Sequence, residues 1–338
     1  MSGTALDPQS GKSFAFVFPG QGSQYAGMGR DLFDQYAAAR RIFEEADAVL
    51  GFALSQLCFQ GPEAELTDTI NAQPAILTMS AACLAVLREA VLRETAPEQW
   101  VPAYAAGHSM GEYSALLAAG VLGFPDALRL VRERGRVMKA AGEAQPGAMA
   151  AVLGMPVASL RAICEEVGDV WVANDNAPGQ IVLSGKKAAL ERASQLAKDR
   201  GARRAIPLAV SIAAHSPLMA PAANAMAVTL EQVSLAEATV PVIGNVSAAP
   251  ITDPADVRVE LVQQLTSPVR WVESVQYMIR QGVQIFVEIG PKSTLKGLIQ
   301  QIGPAAQTWC IGTVADIQTL PKVPQRCWDF QPASSGKV

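Results

Sequence analysis

The chain has 338 residues, half of them hydrophobic and 17% charged, with a formal net charge of −4. This length and composition predict about two folded domains with sizeable cores and exclude wholesale disorder. The 27 basic and 31 acidic side chains are well mixed. Because no tract of lysine or arginine stands out, the sequence argues against nucleic acid as a partner.

The cysteines and the N-terminal residues indicate in which cellular compartment the protein works. The five cysteines are odd in number and no two form a C-x-x-C pair. We therefore expect a reducing compartment, without a disulfide framework or a zinc site. Residues 1–12 are polar and lack the apolar core of a signal peptide, and no run of about 18 apolar residues occurs. These features predict a cytoplasmic protein with no membrane partner.

The first part of the chain alternates short apolar runs with helical patterns. Strands are predicted at Ser13–Pro19 and Val101–Gly107, and helices at about 30–50, 73–95, 112–119 and 125–141. Strands that alternate with helices in this way predict a parallel α/β sheet, here of a hydrolase-like kind.

The middle of the chain has a different order of elements. Strands and helices are predicted at Ala148–Leu153, Val157–Val167, Val170–Ala173, Gln180–Ser184, Lys186–Arg200 and Arg203–Pro207, with a turn at Asn174–Gly179. The order β-α-β-β-α-β is ferredoxin-like. We therefore predict that residues 147–210 form a small domain inserted into a large α/β domain of residues 13–146 and 211–312.

The pattern of the large domain resumes after residue 216. Helices are predicted at about 217–232, 254–266, 270–281 and 292–302, and strands at Pro241–Val246 and Val283–Ile289. The weak patterning of residues 313–338 predicts a surface or disordered tail.

A nucleophile signature lies between the strand that ends at Gly107 and the helix that follows. The sequence GHSMG at Gly107–Gly111 fits a G-x-S-x-G elbow, in which flanking glycines let a sharp turn present the serine at a helix start. The N–H of Met110 then points to where an oxyanion would form. A glycine-rich turn without chemistry is the alternative.

The serine needs a base, and the chain has only two histidines. His108 adjoins Ser109 on a sharp turn, where neighbouring side chains diverge, so we expect it to pack beneath the turn. His215 in AAHSP is the remaining candidate, although a buried structural histidine is the alternative. The group that orients it stays open between a backbone carbonyl and one of four aspartates: Asp126, Asp169, Asp175 and Asp199.

Five short motifs occur in order along the chain. They are FVFPGQGSQ (Phe16–Gln24), QPA (Gln73–Ala75), GHSMGEYS (Gly107–Ser114), Arg134-Gly135 and HSP (His215–Pro217). With them, residues 13–303 resemble the malonyl-CoA:acyl carrier protein transacylase family, including the acyltransferase domains of polyketide synthases. The resemblance implies an S-malonyltransferase of fatty acid or polyketide synthesis that acts on a CoA thioester and an acyl carrier protein, uses no cofactor or metal, and is a monomer.

The resemblance also implies a role for each matching residue. Ser109 would be the acylated nucleophile, His215 the general base and acid, and the N–H groups of Gln21 and Met110 the oxyanion hole; Arg134 would pair with the malonyl carboxylate, Gln73 would line the pocket, and a backbone carbonyl at Gln264 would orient the histidine. Spacing alone favours a solvated helix charge for Arg134, because its neighbours Arg129, Arg132 and Arg136 are of that kind.

One segment departs from its relatives. Ile212-Ala213-Ala214 precedes His215, where related domains carry A-F-H or A-S-H, and this segment correlates with the choice of acyl group. Alanine at 214 leaves space near the acyl α-carbon, so malonyl is our first expectation and methylmalonyl or a broader range stays open.

Two other functions remain as alternatives. An α/β-hydrolase-type esterase or thioesterase would share the serine elbow, but that class usually has its histidine late in the chain. A non-catalytic subunit that binds carrier protein would keep the fold, but it would have no need of Ser109, His215 and Arg134 together.

Overall fold

The structure is a computed structural model that describes residues 13–94 and 101–319. Within these residues, the strands are β1 (Ser13–Phe18), β2 (Tyr104–Gly107), β3 (Gly147–Leu153), β4 (Val170–Ala177), β5 (Gln180–Lys186), β6 (Arg204–Pro207), β7 (Val242–Ile243), β8 (Pro250–Ile251), β9 (Val283–Ile289) and β10 (Gln307–Ile311). The helices are α1 (Arg30–Gln35), α2 (Ala37–Leu50), α3 (Leu54–Gln60), α4 (Glu63–Thr67), α5 (Thr69–Glu94), α6 (Gly111–Ala118), α7 (Phe124–Ala144), α8 (Val157–Val167), α9 (Lys187–Asp199), α10 (Ala220–Glu231), α11 (Pro254–Gln264), α12 (Trp271–Arg280), α13 (Thr294–Ile302) and α14 (Val314–Gln318).

The larger sheet has six strands in the order β10-β9-β1-β2-β7-β8. All neighbours in it are parallel except β7 and β8, which are antiparallel. The central strand β1 is buried from Phe14 to Phe18, because helices cover both faces of a parallel sheet and continuous apolar runs suit such strands. The predicted parallel α/β sheet is confirmed.

The smaller sheet is antiparallel, in the order β4-β5-β3-β6. With α8 and α9 it has the ferredoxin-like order β-α-β-β-α-β, as predicted, and it packs on an apolar cluster of its own. The predicted turn at 174–179 is wrong for residues 174–177, since β4 continues to Ala177. This polar stretch stays extended because it pairs with β5, and Asn174 is also bridged to Val269.

Helix α5 is a buried helix of the large core. Among the described residues, one helical stretch, Thr69–Glu89, is long and apolar enough to cross a membrane, and 83% of its most apolar window is buried inside the protein. It packs against α2 and α7. The apolar composition of this stretch is therefore explained by packing within the fold.

The C-terminal prediction needs a correction. Residues 314–318 form helix α14 rather than a loose tail, because Val314 and Ile317 are buried in the large core. The N–H of Val314 donates to Asp31 Oδ2 over 2.8 Å, and Thr313 caps the helix by accepting from the N–H of Asp316. The predicted tail beyond residue 319 and the predicted N-terminal leader lie outside the described residues.

Candidate active site

Ser109 sits on a sharp turn between β2 and α6. Its φ of 52° lies in the left-handed region that residues other than glycine rarely adopt. A Cβ at Gly107 would lie 1.9 Å from the backbone of Gly111, and one at Gly111 would lie 2.3 Å from the carbonyl oxygen of Phe18. Both glycines are therefore required, and the turn places the serine at the N-terminal end of α6.

The structure brings Ser109 and His215 together although 106 residues separate them. Ser109 Oγ lies 2.8 Å from His215 Nε2, and the Nδ1 of the same ring lies 2.8 Å from the backbone carbonyl oxygen of Gln264. Since a carbonyl only accepts, Nδ1 carries the proton and Nε2 is free to accept from the serine. The orienting group is thus a backbone carbonyl, and none of the four candidate aspartates fills that place.

The electrostatics of His215 favour its neutral form. Burial lowers the pKa of the imidazole to about 3; the charge of Arg134 adds to the effect and the hydrogen bond to Gln264 opposes it. The ring is 4% exposed. At neutral pH it is therefore uncharged and able to take a proton from the serine hydroxyl.

Arg134 is a buried cation beside the nucleophile. It is 1% exposed, and its Nη2 lies 3.2 Å from Ser109 Oγ. Nη1 donates to Gln73 Oε1 over 2.8 Å and Nη2 to Gln264 Oε1 over 2.9 Å, while Nε has no partner. In the described residues no carboxylate lies within 4.0 Å of this guanidinium. The site can therefore hold an anionic group next to Ser109.

Two of the other three arginines of α7 behave as spacing predicts, whereas Arg132 is half-buried and donates to the carbonyl of Ile70. Arg129 and Arg136 lie at the surface in ion pairs with Asp126 and Glu133, and each side chain is 60% exposed. Spacing alone thus gives the correct reading for these two and the wrong one for Arg134. Only the Arg-Gly motif distinguishes it in the sequence.

The loop after β1 lies against the elbow. A Cβ at Gly20 would come within 2.5 Å of the carbonyl oxygen of His108, so the backbone of this loop touches that of the elbow. Among the residues that the structure describes, no hydrogen bond engages the backbone N–H of Gln21 or of Met110. The Gln21 side chain is fixed by Thr69, whose hydroxyl donates to Oε1 over 2.9 Å. Two N–H groups near the nucleophile are therefore free to donate to an oxyanion.

Two residues that the sequence analysis missed hold the site together. Asn245 accepts from the N–H of Ser109 and donates to the carbonyl of Gly107, both over 2.7 Å. Glu112 is fully buried and its Oε2 accepts from Gln264 Nε2 over 2.7 Å. The position of Asn245 two residues after β7, at the carboxyl edge of a parallel sheet, is the one signal that could have identified it.

His108 lies apart from the reaction partners. Its Nε2 is 2.7 Å from Asn176 Oδ1 on the small sheet, and its ring packs edge-on against Trp271 with centroids 5.6 Å apart. Burial lowers the pKa of this histidine. The expectation that it packs beneath the turn agrees with these contacts, which tie the elbow to the small sheet.

No group of three or more potential metal ligands occurs within residues 13–94 and 101–319. Four cysteines in this part of the chain (Cys58, Cys83, Cys164 and Cys310) are free thiols. The groups within hydrogen-bond distance of Ser109 Oγ are the imidazole of His215 and the guanidinium of Arg134.

Comparison with known proteins identifies the family. Residues 15–321 match the model of the acyl transferase domain family. The malonyl CoA-acyl carrier protein transacylase of Bacillus subtilis (strain 168) is 47% identical over 310 residues, which cover 90% of this chain and 94% of that protein. The enzyme of the same name from Escherichia coli (strain K12) is 46% identical over 292 residues, covering 86% and 92%.

Solved structures give the same result. An acyl-carrier-protein-S-malonyltransferase from Bartonella henselae superimposes with a TM-score of 0.87 at 43% identity and covers 90% of this chain and 97% of its own. A malonyl-transacylase in complex with a type II polyketide synthase acyl-carrier protein (PlMCAT:AntF) has a TM-score of 0.86 at 42% identity, with coverage of 91% and 98%. The chain belongs to the acyl transferase domain family.

Proposed function

We propose that this chain transfers a malonyl group from malonyl-CoA to the phosphopantetheine thiol of an acyl carrier protein, by way of an ester on Ser109. The observation that carries the proposal is the buried Arg134 guanidinium, 3.2 Å from Ser109 Oγ and without a carboxylate of its own. A malonyl group supplies the missing carboxylate, which an arginine can bind through two parallel hydrogen bonds. The relatives named as malonyl CoA-acyl carrier protein transacylases support the same reaction.

The first half-reaction loads the enzyme. Ser109 Oγ attacks the thioester carbonyl of malonyl-CoA while its proton passes to His215 Nε2, and the N–H groups of Gln21 and Met110 hold the oxyanion. The carbon–sulfur bond then breaks, and the protonated His215 returns the proton to the CoA thiolate as it leaves. Arg134 keeps the malonyl carboxylate in place, and Gln73 supports Arg134 through its hydrogen bond.

The second half-reaction transfers the malonyl group from Ser109 to the carrier protein. His215 Nε2 takes the proton of the phosphopantetheine thiol, and the sulfur attacks the ester carbonyl in the same oxyanion site. The carbon–oxygen bond breaks and Ser109 Oγ regains the proton from His215. Each half returns serine and histidine to their starting states, so the cycle needs no metal or redox cofactor.

The acyl preference is proposed as malonyl first. Ala213 is fully buried and Ala214 is 7% exposed immediately before His215. The small side chain at 214 supports some tolerance for a methyl branch, as in methylmalonyl. One methylene is worth about 1–3 kcal/mol in an apolar pocket, so we expect discrimination to be modest.

Loading a series of acyl-CoAs tests the function directly. We expect malonyl-CoA to give a covalent adduct by intact mass, and the adduct to move to an acyl carrier protein when that is added. The Ser109→Ala variant should form no adduct. CoA release without any acylated carrier would instead indicate a thioesterase, and absence of an adduct on the unaltered protein would indicate a non-catalytic binding subunit.

The setting of the reaction is also a proposal. Fatty acid or polyketide synthesis would use such a malonyl transfer, and the structure of a relative with a polyketide carrier protein supports a carrier as partner. The free thiols support a cytoplasmic location. We propose a monomer, and light scattering coupled to size-exclusion chromatography tests it.

A further inference from the structure

Glu112 is a buried carboxyl group next to the site that the reaction steps do not use. It lies in the first turn of α6 and is 0% exposed. In the described part of the chain, no lysine or arginine lies within 4.0 Å of it, and Oε1 has no hydrogen-bond partner. Burial of such a group costs free energy, so its two remaining contacts indicate what it does.

The first contact fixes the side-chain amide of Gln264. Gln264 Nε2 donates to Glu112 Oε2 over 2.7 Å, and Gln264 Oε1 accepts from Arg134 Nη2 over 2.9 Å. An amide has one donor end and one acceptor end, and a guanidinium only donates. Were the amide reversed, its NH₂ would face the N–H of Arg134 and its oxygen would face the carboxyl. Glu112 therefore selects the orientation in which Gln264 can hold Arg134.

The second contact reaches the serine elbow. The N–H of Asn245 donates to the same Oε2 over 3.2 Å, and the Asn245 side chain binds the backbone of Gly107 and Ser109. The Gln264 amide also donates to the carbonyl of Ser109 over 3.1 Å. Glu112 Oε2 thus contacts both Asn245, which holds the backbone of Ser109, and Gln264, which holds Arg134.

We propose that Glu112 is a positioning residue for malonyl loading, which orients the Gln264 amide and through it holds Arg134 where the substrate carboxylate binds. The inference rests on the proposed function, because it concerns the preference for an acyl group that carries a carboxylate. The proposed role of Glu112 differs from a general structural role in one respect. Loss of Glu112 should affect malonyl more than acetyl, since acetyl makes no contact with Arg134.

The test measures the rates of malonyl and acetyl loading by intact mass. In Glu112→Ala we expect the malonyl-to-acetyl ratio to fall about 10- to 100-fold, the range for a lost hydrogen bond to a charged group. Glu112→Gln should stay close to the unaltered ratio, because its amide oxygen can still accept from Gln264. Should the alanine variant not fold, Glu112→Met fills the space without a strong acceptor and gives the same comparison.

A double variant tests the route of the effect. If Glu112 acts through the Gln264 side chain, Glu112→Ala combined with Gln264→Ala should have the same ratio as Gln264→Ala alone. Multiplication of the two single effects would overturn the proposal, as would an unchanged ratio in Glu112→Ala or an equal loss in Glu112→Gln. The Gln264 backbone carbonyl that binds His215 is kept in all of these variants.

Glu260 provides a matched control. It is another buried carboxyl nearby, but its oxygens accept from the backbone N–H groups of Val246 and Ser247 rather than from Gln264. Glu260→Gln should lower the melting temperature without changing the ratio. Failure of the unaltered protein to load malonyl would contradict the proposed function itself, whereas normal loading with an unaffected ratio in Glu112→Ala would contradict only the role of Glu112.

Discussion

At the scale of single residues, the decisive feature is a buried arginine whose partners are all neutral. Desolvation lowers the pKa of Arg134, yet an arginine stays charged in proteins. The Gln73 and Gln264 amides and the Ser109 hydroxyl satisfy part of this charge. Such a group gains more from an anionic ligand than an exposed arginine would, because water does not compete for it.

Arg134→Ala should therefore change acyl preference. Malonyl loading should fall about 10- to 100-fold or more, because a charge-assisted pair is lost. Acetyl loading should be affected less, and intact-mass kinetics with both CoA thioesters measures the two rates. Arg136→Ala on the same helix, which breaks a surface ion pair, should leave both rates unchanged. Equal losses with both substrates would remove Arg134 from carboxylate binding.

The buried His215 makes stability depend on pH. Its pKa is about 3 in the folded protein against a usual 6.5, so below pH 6.5 the unfolded chain binds a proton that the folded chain does not. The free energy of unfolding should consequently decrease through this group as the pH falls from 6.5 towards 3. His215→Ala removes the contribution and keeps His108. Urea denaturation between pH 7 and 4 should show a smaller loss of stability in the variant; parallel curves would contradict the lowered pKa.

Residue chemistry was predictable from the sequence only where few choices existed. Two histidines in the whole chain make the pairing of Ser109 with His215 predictable. Arg134 resembles its exposed neighbours in spacing, so the family motif was needed to single it out. Glu112 contacts Asn245 and the Gln264 side chain although each is more than 130 residues away in the chain. Their contacts depend on how α11 and β7 pack against α6, which local patterns do not encode.

At the scale of elements, the site depends on two chain segments that touch through backbone. The loop after β1 carries Gln21, and Gly20 lets it approach the carbonyl of His108 closely. The elbow carries Met110. The distance between the two N–H groups of the proposed oxyanion hole therefore depends on the absence of a side chain at Gly20.

Gly20→Ala should open the oxyanion hole. Its Cβ would lie 2.5 Å from the His108 oxygen, so the loop must shift and carry the Gln21 N–H away. Loss of one oxyanion donor lowers the rate about 10²–10³-fold. Malonyl and acetyl loading should therefore slow to the same degree. Gly123→Ala, where a Cβ meets open space, is the matched control and should keep the normal rate. A selective loss of malonyl would show that the loop acts on Arg134 instead.

Elements were predictable in proportion to their length and burial. The continuous apolar run of β9 was predicted with its observed bounds, Val283–Ile289. The strand predicted at 241–246 shrinks to Val242–Ile243, since Gly244 and Asn245 turn to support the elbow. Strand β10 was missed because it is a half-exposed edge strand with little apolar contrast. Helix α14 has five residues, too few to show a period.

At the scale of the whole molecule, the elbow that carries Ser109 contacts the small sheet through the hydrogen bond between His108 and Asn176. The small sheet has its own apolar cluster, but Ala177 at the end of β4 is not part of that cluster. The N–H of Asp175 donates to Val269 and the N–H of Val269 donates to Ala173, both over 2.9 Å. Ala177 and Trp271 belong to one apolar cluster with β1. We therefore propose that residues 147–210, predicted as an inserted domain, unfold together with the large sheet.

Trp271→Ala should test this coupling. The indole is 1% exposed at the junction, and truncation of a buried tryptophan costs about 3–5 kcal/mol. Since the cavity would open between the two cores, protection in both sheets should be lost at the same, lower denaturant concentration. Hydrogen exchange of peptides from β5 and β9 along a urea series measures the two midpoints. Val228→Ala, at a side chain 59% exposed on α10, should leave both unchanged. If only the β9 midpoint moved, the small sheet would be an independent folding unit, and its contacts with the large sheet at Val269 and His108 would not couple their stabilities.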